Sequence, residues 1–181
     1  MPETFQQYRK RVLGYLKEMG GRDPLKIQQA TPAKLKRLIE GVPRKTLQRR
    51  PAPSKWSVVE ILGHLADAEL AIAWRFRIML AQSGAPLLWF DQDAWTKKFR
   101  HQSADPRKLI GLFCALRQSN LTLLKSVPRR EWKRCYGMHQ VRGRQTVADF
   151  VLMEAAHDLN HLRQIAGILV RQASARTVNK P

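Results

Sequence analysis

Two histidines lie four residues apart on the apolar face of the longest helical segment in this sequence. His157 and His161 belong to the stretch 147–170, whose apolar residues recur every three or four positions, as in an amphipathic helix. Residues at i and i+4 project from one helix face about a turn apart, so their imidazoles can hold a single metal ion. The ion needs at least one further ligand. His64, which follows the inward-facing Ile61 in another helical segment, is the expected source.

The two histidines also have a purely structural interpretation, as core residues that hydrogen bond to Glu154, Asp158 or Asn160. The distribution of acidic residues favours metal binding instead. The chain carries 33 Lys and Arg against 14 Asp and Glu, yet six of these acids fall in two short windows around the histidines. The six acids are Glu60, Asp67, Glu69, Asp149, Glu154 and Asp158. On so basic a chain, these windows are where a cation would be held.

Individual acids near the histidines have competing interpretations. Glu154 lies on the buried stripe three residues before His157, where it could orient an imidazole or act as a catalytic general base. Glu60 could be a ligand or a base, but a capping box with Ser57 explains it without function. Asp158 points away from His157, so a salt bridge to an arginine explains it equally well. Asp67 could be a solvated helix acid.

The elements that must position these residues are helices. The spacing of apolar residues and the cap signals predict four long amphipathic helices and one short extra helix, with no strands. The predicted long helices cover 4–19, 57–82, 105–127 and 147–170, and the short one covers 31–39. The second and third long helices are joined by a long, aromatic-rich connection that could cover the mouth of a pocket. The expected fold is an all-α four-helix bundle over residues 1–172, followed by a frayed tail at 173–181.

Composition sets the expected class and partners. A length of 181 residues fits one domain, and the net charge of +19 predicts attraction to polyanions such as nucleic acid, or else a solvated basic surface. The sequence shows no helix-turn-helix, zinc-finger or RNA-binding signature. Cys114 and Cys135 form no recognisable pattern, and no apolar run predicts a membrane span or a signal peptide, so we expect a cytoplasmic protein. His101 and His139 are expected at the surface.

Two sequence stretches carry a resemblance to a known family. The segments KWSVVEILGHLADAE and AAHDLNHLRQIAGIL, with their HLxDxE and HDxxHxxQI patterns, resemble the DinB-like (DinB/YfiT) superfamily over nearly the whole chain. The resemblance implies a four-helix bundle in which three histidines bind a divalent metal. By motif, these histidines are His64, His157 and His161. The similarity is to the broad branch of the superfamily and selects no substrate.

The resemblance implies a metal-dependent enzyme that acts on a small molecule. Relatives of this type include transferases and isomerases that use low-molecular-weight thiols, and hydrolases. We therefore expect a divalent ion, zinc or nickel before others, and a thiol cosubstrate if the reaction is a transfer. The alternative function is a polyanion-binding or interaction protein whose metal site is structural or vestigial. Exposed apolar residues on an outer bundle face would favour a homodimer.

Overall fold

The computed structural model describes residues 19–178 and, before them, residues 7, 10, 13, 14 and 17. The side chains of 175–178 are outside the description. In chain order the elements are α1 (Pro24–Ile39), α2 (Arg44–Gln48), α3 (Val58–Ala81), β1 (Ala85–Leu87), α4 (Gln92–Lys98), a 3-10 turn (His101–Ser103), α5 (Pro106–Ser126), α6 (Arg129–Arg134), β2 (Tyr136–His139), β3 (Gly143–Thr146) and α7 (Val147–Val178).

Helices α1, α3, α5 and α7 pack against one another as a four-helix bundle, which confirms the predicted fold. Each helix turns an apolar stripe inward, and the stripes meet in buried clusters at either end of the bundle. Ile61, Phe113 and Ile165 are central to one cluster, and Phe76 and Phe150 to the other.

The helices that carry the histidines begin where the sequence predicted. Ser57 and Glu60 form a reciprocal capping box, in which the Ser57 amide donates to the Glu60 carboxylate at 2.8 Å and the Glu60 amide donates to Ser57 Oγ at 3.3 Å. Thr146 and Asp149 cap α7 in the same way, at 2.8 and 3.1 Å. These caps fix the rotation of α3 and α7 and hence the face on which each histidine lies.

The prediction of a short helix starting at Thr31 was wrong. The helix α1 already begins at Pro24, with Asp23 as its N-cap, and Pro32 lies in its interior. Pro32 has no N–H to give to the carbonyl of Gln28, and Arg117 of α5 donates to that carbonyl instead, at 3.1 Å. This tertiary contact lets α1 continue through the proline and supply a full bundle helix. The helix predicted over 4–19 lies largely outside the described residues.

A small sheet, which the sequence did not predict, closes one end of the bundle. Strand β1 pairs in parallel with β2, and β2 pairs antiparallel with β3. Strands of three or four residues are too short to show a clear alternation of apolar and polar side chains. Strands β1 and β2 approach each other closely at Gly137, where an added Cβ would lie only 2.5 Å from Leu87 Cγ. Strand β3 leads directly into α7.

The last helix extends past its predicted end. Gln172, the last residue before the tail predicted to fray, is buried, and its side-chain amide donates to the carbonyl of Arg49 at 3.0 Å. Helix α7 continues to Val178, and residues 179–181 lie outside the described part of the chain. None of the helices described has the length and apolarity needed to cross a membrane.

Candidate metal centre

The three predicted ligands come together between two helices. His64 lies in the second turn of α3, and His157 and His161 face it from the middle of α7. His64 is 3% exposed and His161 is 7% exposed, while His157 is half-buried and forms the more open side of the cluster. One donor atom from each of the three residues lies within 4.8 Å of the others. The structure thus brings all three residues to one point.

The imidazoles point at one another through their Nε2 atoms. The Nε2 of His157 lies 2.9 Å from that of His64 and 3.0 Å from that of His161. Two ligands of a tetrahedral ion, each bound at about 2.0–2.1 Å, would be about 3.3 Å apart. The observed separations are close to that value, so small movements would place the three nitrogens around one ion.

Hydrogen bonds alone cannot satisfy this arrangement. His161 Nδ1 lies 2.8 Å from Gln164 Oε1, which places the proton of this imidazole on Nδ1 and leaves a lone pair on Nε2. A single proton on His157 Nε2 can serve only one of its two neighbours, so at least one contact between nitrogens stays unsatisfied. A cation at the common point would accept all three lone pairs. The donor set therefore fits a divalent metal ion.

Burial keeps the ligand histidines in the neutral form that metal binding requires. Burial lowers the pKa of His64 to about 3, with smaller contributions from His161 and His101. The pKa of His161 is also lowered, again mainly by burial, although Gln164 acts in the opposite direction. At neutral pH these two imidazoles are unprotonated and present lone pairs without competition from protons.

The surroundings of His64 include residues that the sequence interpretation misplaced. His101 was expected at the surface but is buried, and its Nε2 lies 2.7 Å from Asp67 Oδ2. The ring packs on Gly63, where an added Cβ would meet His101 Cγ at 2.3 Å. Asp67 is therefore paired rather than solvated. On another side of His64, the centre of the Trp56 ring lies 4.9 Å from the centre of the His64 ring.

His139 is also buried, contrary to the sequence expectation. It lies on β2, and because that strand was missed, nothing in the sequence placed it inside the protein. His101 and His139 are buried for the same physical reason. The connecting segments fold back onto the bundle and cover side chains that look exposed in the sequence.

Asp158 belongs to a buried ionic network rather than to the histidine cluster. Arg117 donates to both Asp158 oxygens and to Glu69, so of the two interpretations of Asp158 the structure shows the salt bridge to an arginine. Asn120 adds a hydrogen bond to Glu69 at 2.8 Å. Arg117 itself is only 1% exposed. This network joins α3, α5 and α7 next to the histidines.

Glu154 is buried beside this network and is 5% exposed. Burial, followed by the nearby carboxylate of Glu69, raises its pKa to about 8. Within the described part of the chain, its carboxyl group forms no hydrogen bond or ion pair. Glu60, the other candidate acid, is accounted for by its capping box and an ion pair with Arg50.

Two residues that shape the site were not identified from the sequence. Arg117 stands within the apolar stripe of α5, and a lone arginine among inward-facing positions signals a buried partner. Gly63 interrupts a strongly helical segment next to His64, and such a glycine often marks a close approach of another chain segment. Both signals were present in the sequence, but neither identifies the partner.

Comparisons with known proteins agree with this geometry. The model of the DinB superfamily matches residues 28–165 of the chain. A relative from Bacillus subtilis (strain 168), named "Putative metal-dependent hydrolase YfiT", is 23% identical over 141 residues, which cover 78% of this chain and 79% of the relative.

A solved structure shows the same fold. It aligns with a TM-score of 0.77 at 22% identity and covers 83% of this chain and 86% of its own. Its description reads "YfiT from Bacillus subtilis is a probable metal-dependent hydrolase with an unusual four-helix bundle topology". The family model spans well over half of the sequence, and all three histidines lie inside the match. With its bundle, its histidine cluster and this match, the chain belongs to the DinB superfamily.

Proposed function

We propose that this protein is a metal-dependent hydrolase of a small molecule, with one divalent ion held by His64, His157 and His161. The observation that carries the proposal is the convergence of three Nε2 atoms, which hydrogen bonding cannot satisfy. When bound, such an ion supplies Lewis-acid activation of a nucleophile and of the bond that breaks. Three protein ligands leave coordination positions open, as catalytic rather than structural sites do.

The protein side chains prepare this site before any substrate arrives. Gln164 holds the His161 proton on Nδ1, so that Nε2 stays available to a metal. Trp56 packs on the ring of His64 and limits its rotation. The ionic network of Arg117 with Asp158 ties α7 to α5 one residue after His157. The ligand positions are therefore set by the fold, which reduces the cost of organising them on binding.

Glu154 is the residue that we propose for proton transfer. It lies one turn before the ligand histidines of α7, is buried, and has a pKa raised to about 8, close to the value at which a carboxyl group can both hold and release a proton near neutrality. We expect Glu154→Gln to retain the metal and to lose catalytic rate by a factor of about 10²–10⁴.

The nucleophile can be water or a thiol. The name of the Bacillus subtilis relative supports hydrolysis. The same centre could instead activate a low-molecular-weight thiol for transfer to an electrophile. Assays of labile esters and amides, with and without added thiol, separate the two reactions. Zinc and nickel are the ions to test first, because imidazole ligands suit both.

The metal centre itself is tested by elemental analysis of the purified chain. We expect about one equivalent of divalent metal in the native protein and its loss in His64→Ala and His157→Ala, because two remaining imidazoles bind weakly. His139→Ala is the matched control, since it removes a buried histidine outside the cluster and should leave the metal content unchanged. Full metal content in either ligand variant would refute the site.

A second candidate function is polyanion binding. It is supported by the net charge of +19 and by a groove of about 720 Å³ between α1 and α7 that has basic side chains around an apolar floor. The groove is lined by Arg22, Lys34, Arg37, Leu38, Leu159, Leu162, Arg163 and Ala166. This candidate does not need the metal, so the two functions can be tested separately.

A further inference from the structure

A buried arginine lies on the same face of α3 as His64. Arg75 follows His64 by eleven residues, about three helical turns and about 16 Å along the axis, so the two side chains project in nearly the same direction. Arg75 is 7% exposed. It donates one hydrogen bond, to the carbonyl of Leu88 at 2.7 Å, and within the described residues it forms no ion pair.

A second arginine approaches the same point from the β2–β3 hairpin. The guanidinium groups of Arg75 and Arg142 lie 5.5 and 5.7 Å from the centre of one aromatic ring, that of Phe150. Arg142 also contacts the sulfur of Met153 at 3.4 Å. Two like charges gathered at one ring repel each other, and burial strengthens that repulsion.

His139 adds a third donor. Its Nδ1 accepts hydrogen bonds from the amides of Val141 and Arg142, at 3.2 and 3.3 Å, so its proton is on Nε2. That Nε2 is buried and has no hydrogen-bond partner in the described part of the chain. His139 is 4% exposed. A buried N–H donor with no acceptor is costly unless a ligand supplies one.

Among the residues that the structure describes, no ionised carboxylate pairs with Arg75. Glu154 is the carboxyl group whose charge would raise the pKa of Arg75. The pKa of Glu154 is itself raised to about 8, so this carboxyl group is protonated at neutral pH. The pKa of Arg75 is lowered to about 10, first by burial and then by Arg142. An unpaired buried charge is unfavourable, and an oxyanion with several lone pairs would satisfy all the donors at once.

A row of ring-bearing side chains runs from this cluster towards the histidines, next to small side chains of α3. On the shared face of α3, the residues between His64 and Arg75 include Ala68 and Ala71, whose side chains are small. A series of contacting rings from the long connection runs alongside, beginning at Phe90 near Arg75 and ending at His101, which packs on Gly63 beside His64. It consists of Phe90, Trp95, Phe99 and His101, with successive centroid distances of 4.5, 5.6 and 6.0 Å.

We infer that Arg75, Arg142 and His139 form an oxyanion-binding subsite, which holds the carboxylate or phosphate group of the substrate while its reacting bond lies at the histidine cluster. The position of the reacting bond rests on the proposed metal-dependent function, whereas oxyanion binding does not. The substrate class is therefore an organic acid or a phosphate ester, long enough to reach from Arg75 towards His64.

Isothermal titration of the full chain with inorganic phosphate and with acetate tests the subsite, using protein from which metal has been removed by a chelator. We expect saturable binding of at least one anion to the native chain and a loss of at least tenfold in affinity in Arg75→Gln. The tighter anion indicates whether the substrate carries a phosphate or a carboxylate. Metal content is measured separately, so that failure of the subsite and failure of the metal centre are distinguishable.

Arg77→Gln is the matched control, because it removes one positive charge from the same helix outside the cluster and should change affinity by less than twofold. Arg142→Gln should weaken binding as Arg75→Gln does, and it serves if the latter variant does not fold. His139→Asn keeps an acceptor for the two backbone amides but removes the Nε2 donor, so binding should weaken severalfold.

Three results would overturn the inference. The first is no saturable binding of either anion to the native chain. The second is an equal loss in Arg75→Gln and Arg77→Gln, which would show that only the overall charge matters. The third is binding that occurs only in Glu154→Gln, because Glu154 would then already neutralise Arg75 in the native chain.

Discussion

Environment, rather than residue type alone, determines what each titratable side chain of this protein can do. His64 and His161 are neutral because they are buried, and His161 presents its Nε2 lone pair because Gln164 holds the other ring nitrogen. Glu154 differs from Asp158, four residues away, because Asp158 has Arg117 as a partner and Glu154 has no such partner. The same functional group, a carboxyl, therefore supplies an ion-pair partner at one position and a proton-holding acid at the other.

The raised pKa of Glu154 makes a prediction about stability. In the unfolded chain the carboxyl group ionises near 4.5, while in the folded protein it keeps its proton to about 8. The protonated acid therefore favours folding fully below pH 4.5, and this contribution is lost as pH rises to about 8. As pH rises through this range, the Glu154→Gln variant, which cannot ionise, should gain unfolding free energy relative to the native chain. The expected gain is about 1.4 kcal/mol for each pH unit.

Urea unfolding of both proteins at about pH 5 and about pH 9 measures this difference. Comparing the two proteins at each pH cancels the contributions of the other titrating groups. A difference in unfolding free energy that does not change with pH would show that Glu154 ionises normally, and a relative gain of the variant at acid pH would show that its pKa is lowered by folding. Either result would contradict the raised pKa.

At the scale of elements, the histidine-bearing helices are positioned by local caps and by one buried arginine. The capping boxes at Ser57 and Thr146 set where α3 and α7 begin. Arg117 then links the helices to one another, through Glu69 of α3, Asp158 of α7 and the free carbonyl of Gln28 in α1. Pro32 and Arg117 are thus complementary, because the proline leaves an acceptor that the arginine fills.

Removing Arg117 should therefore destabilise the whole bundle. Arg117→Met leaves the Glu69 and Asp158 carboxylates buried without a cation, and we expect a loss of about 3–5 kcal/mol in unfolding free energy. The matched control is Arg107→Met on the same helix, an exposed position where the change should stay within about 0.5 kcal/mol. Chemical denaturation followed by circular dichroism measures both. Equal effects of the two substitutions would show that the network contributes little.

At the scale of the whole molecule, 33 Lys and Arg outnumber 14 Asp and Glu, and four of these acids are committed to contacts inside the fold. Glu60, Asp67, Glu69 and Asp158 each pair with a basic side chain inside the fold, so they are poorly placed to offset the basic surface. The net charge of +19 therefore predicts a positive field around the protein. That field acts over the surface, whereas the subsite at Arg75 is buried and selects by hydrogen bonding.

The net charge of +19 predicts binding to polyanions that depends on salt but not on the metal. Fluorescence anisotropy with a labelled oligonucleotide should show affinity falling linearly on a log–log plot between about 50 and 200 mM salt. His157→Ala should bind as well as the native chain, because the metal centre takes no part. No measurable binding at the lowest salt would eliminate the polyanion candidate.

Local patterns in the sequence determined the helices and the candidate ligands. The period of apolar residues defined α3, α5 and α7, and the caps defined their starts, because both depend on residues within one or two turns. With those helices in place, the i, i+4 spacing put His157 and His161 on one face. The inward position of His64 followed from the stripe of α3. A bundle with three histidines facing its interior was therefore predictable.

Contacts between distant segments decided the rest. The continuation of α1 through Pro32 depended on a hydrogen bond from Arg117, which is far away in the sequence, and β1 depended on pairing with β2, about fifty positions away. The burial of His101 and His139, the pKa of Glu154 and the meeting of Arg75 with Arg142 all arise from packing across the fold. Local periodicity carries no information about such partners, so only the tertiary structure could place them.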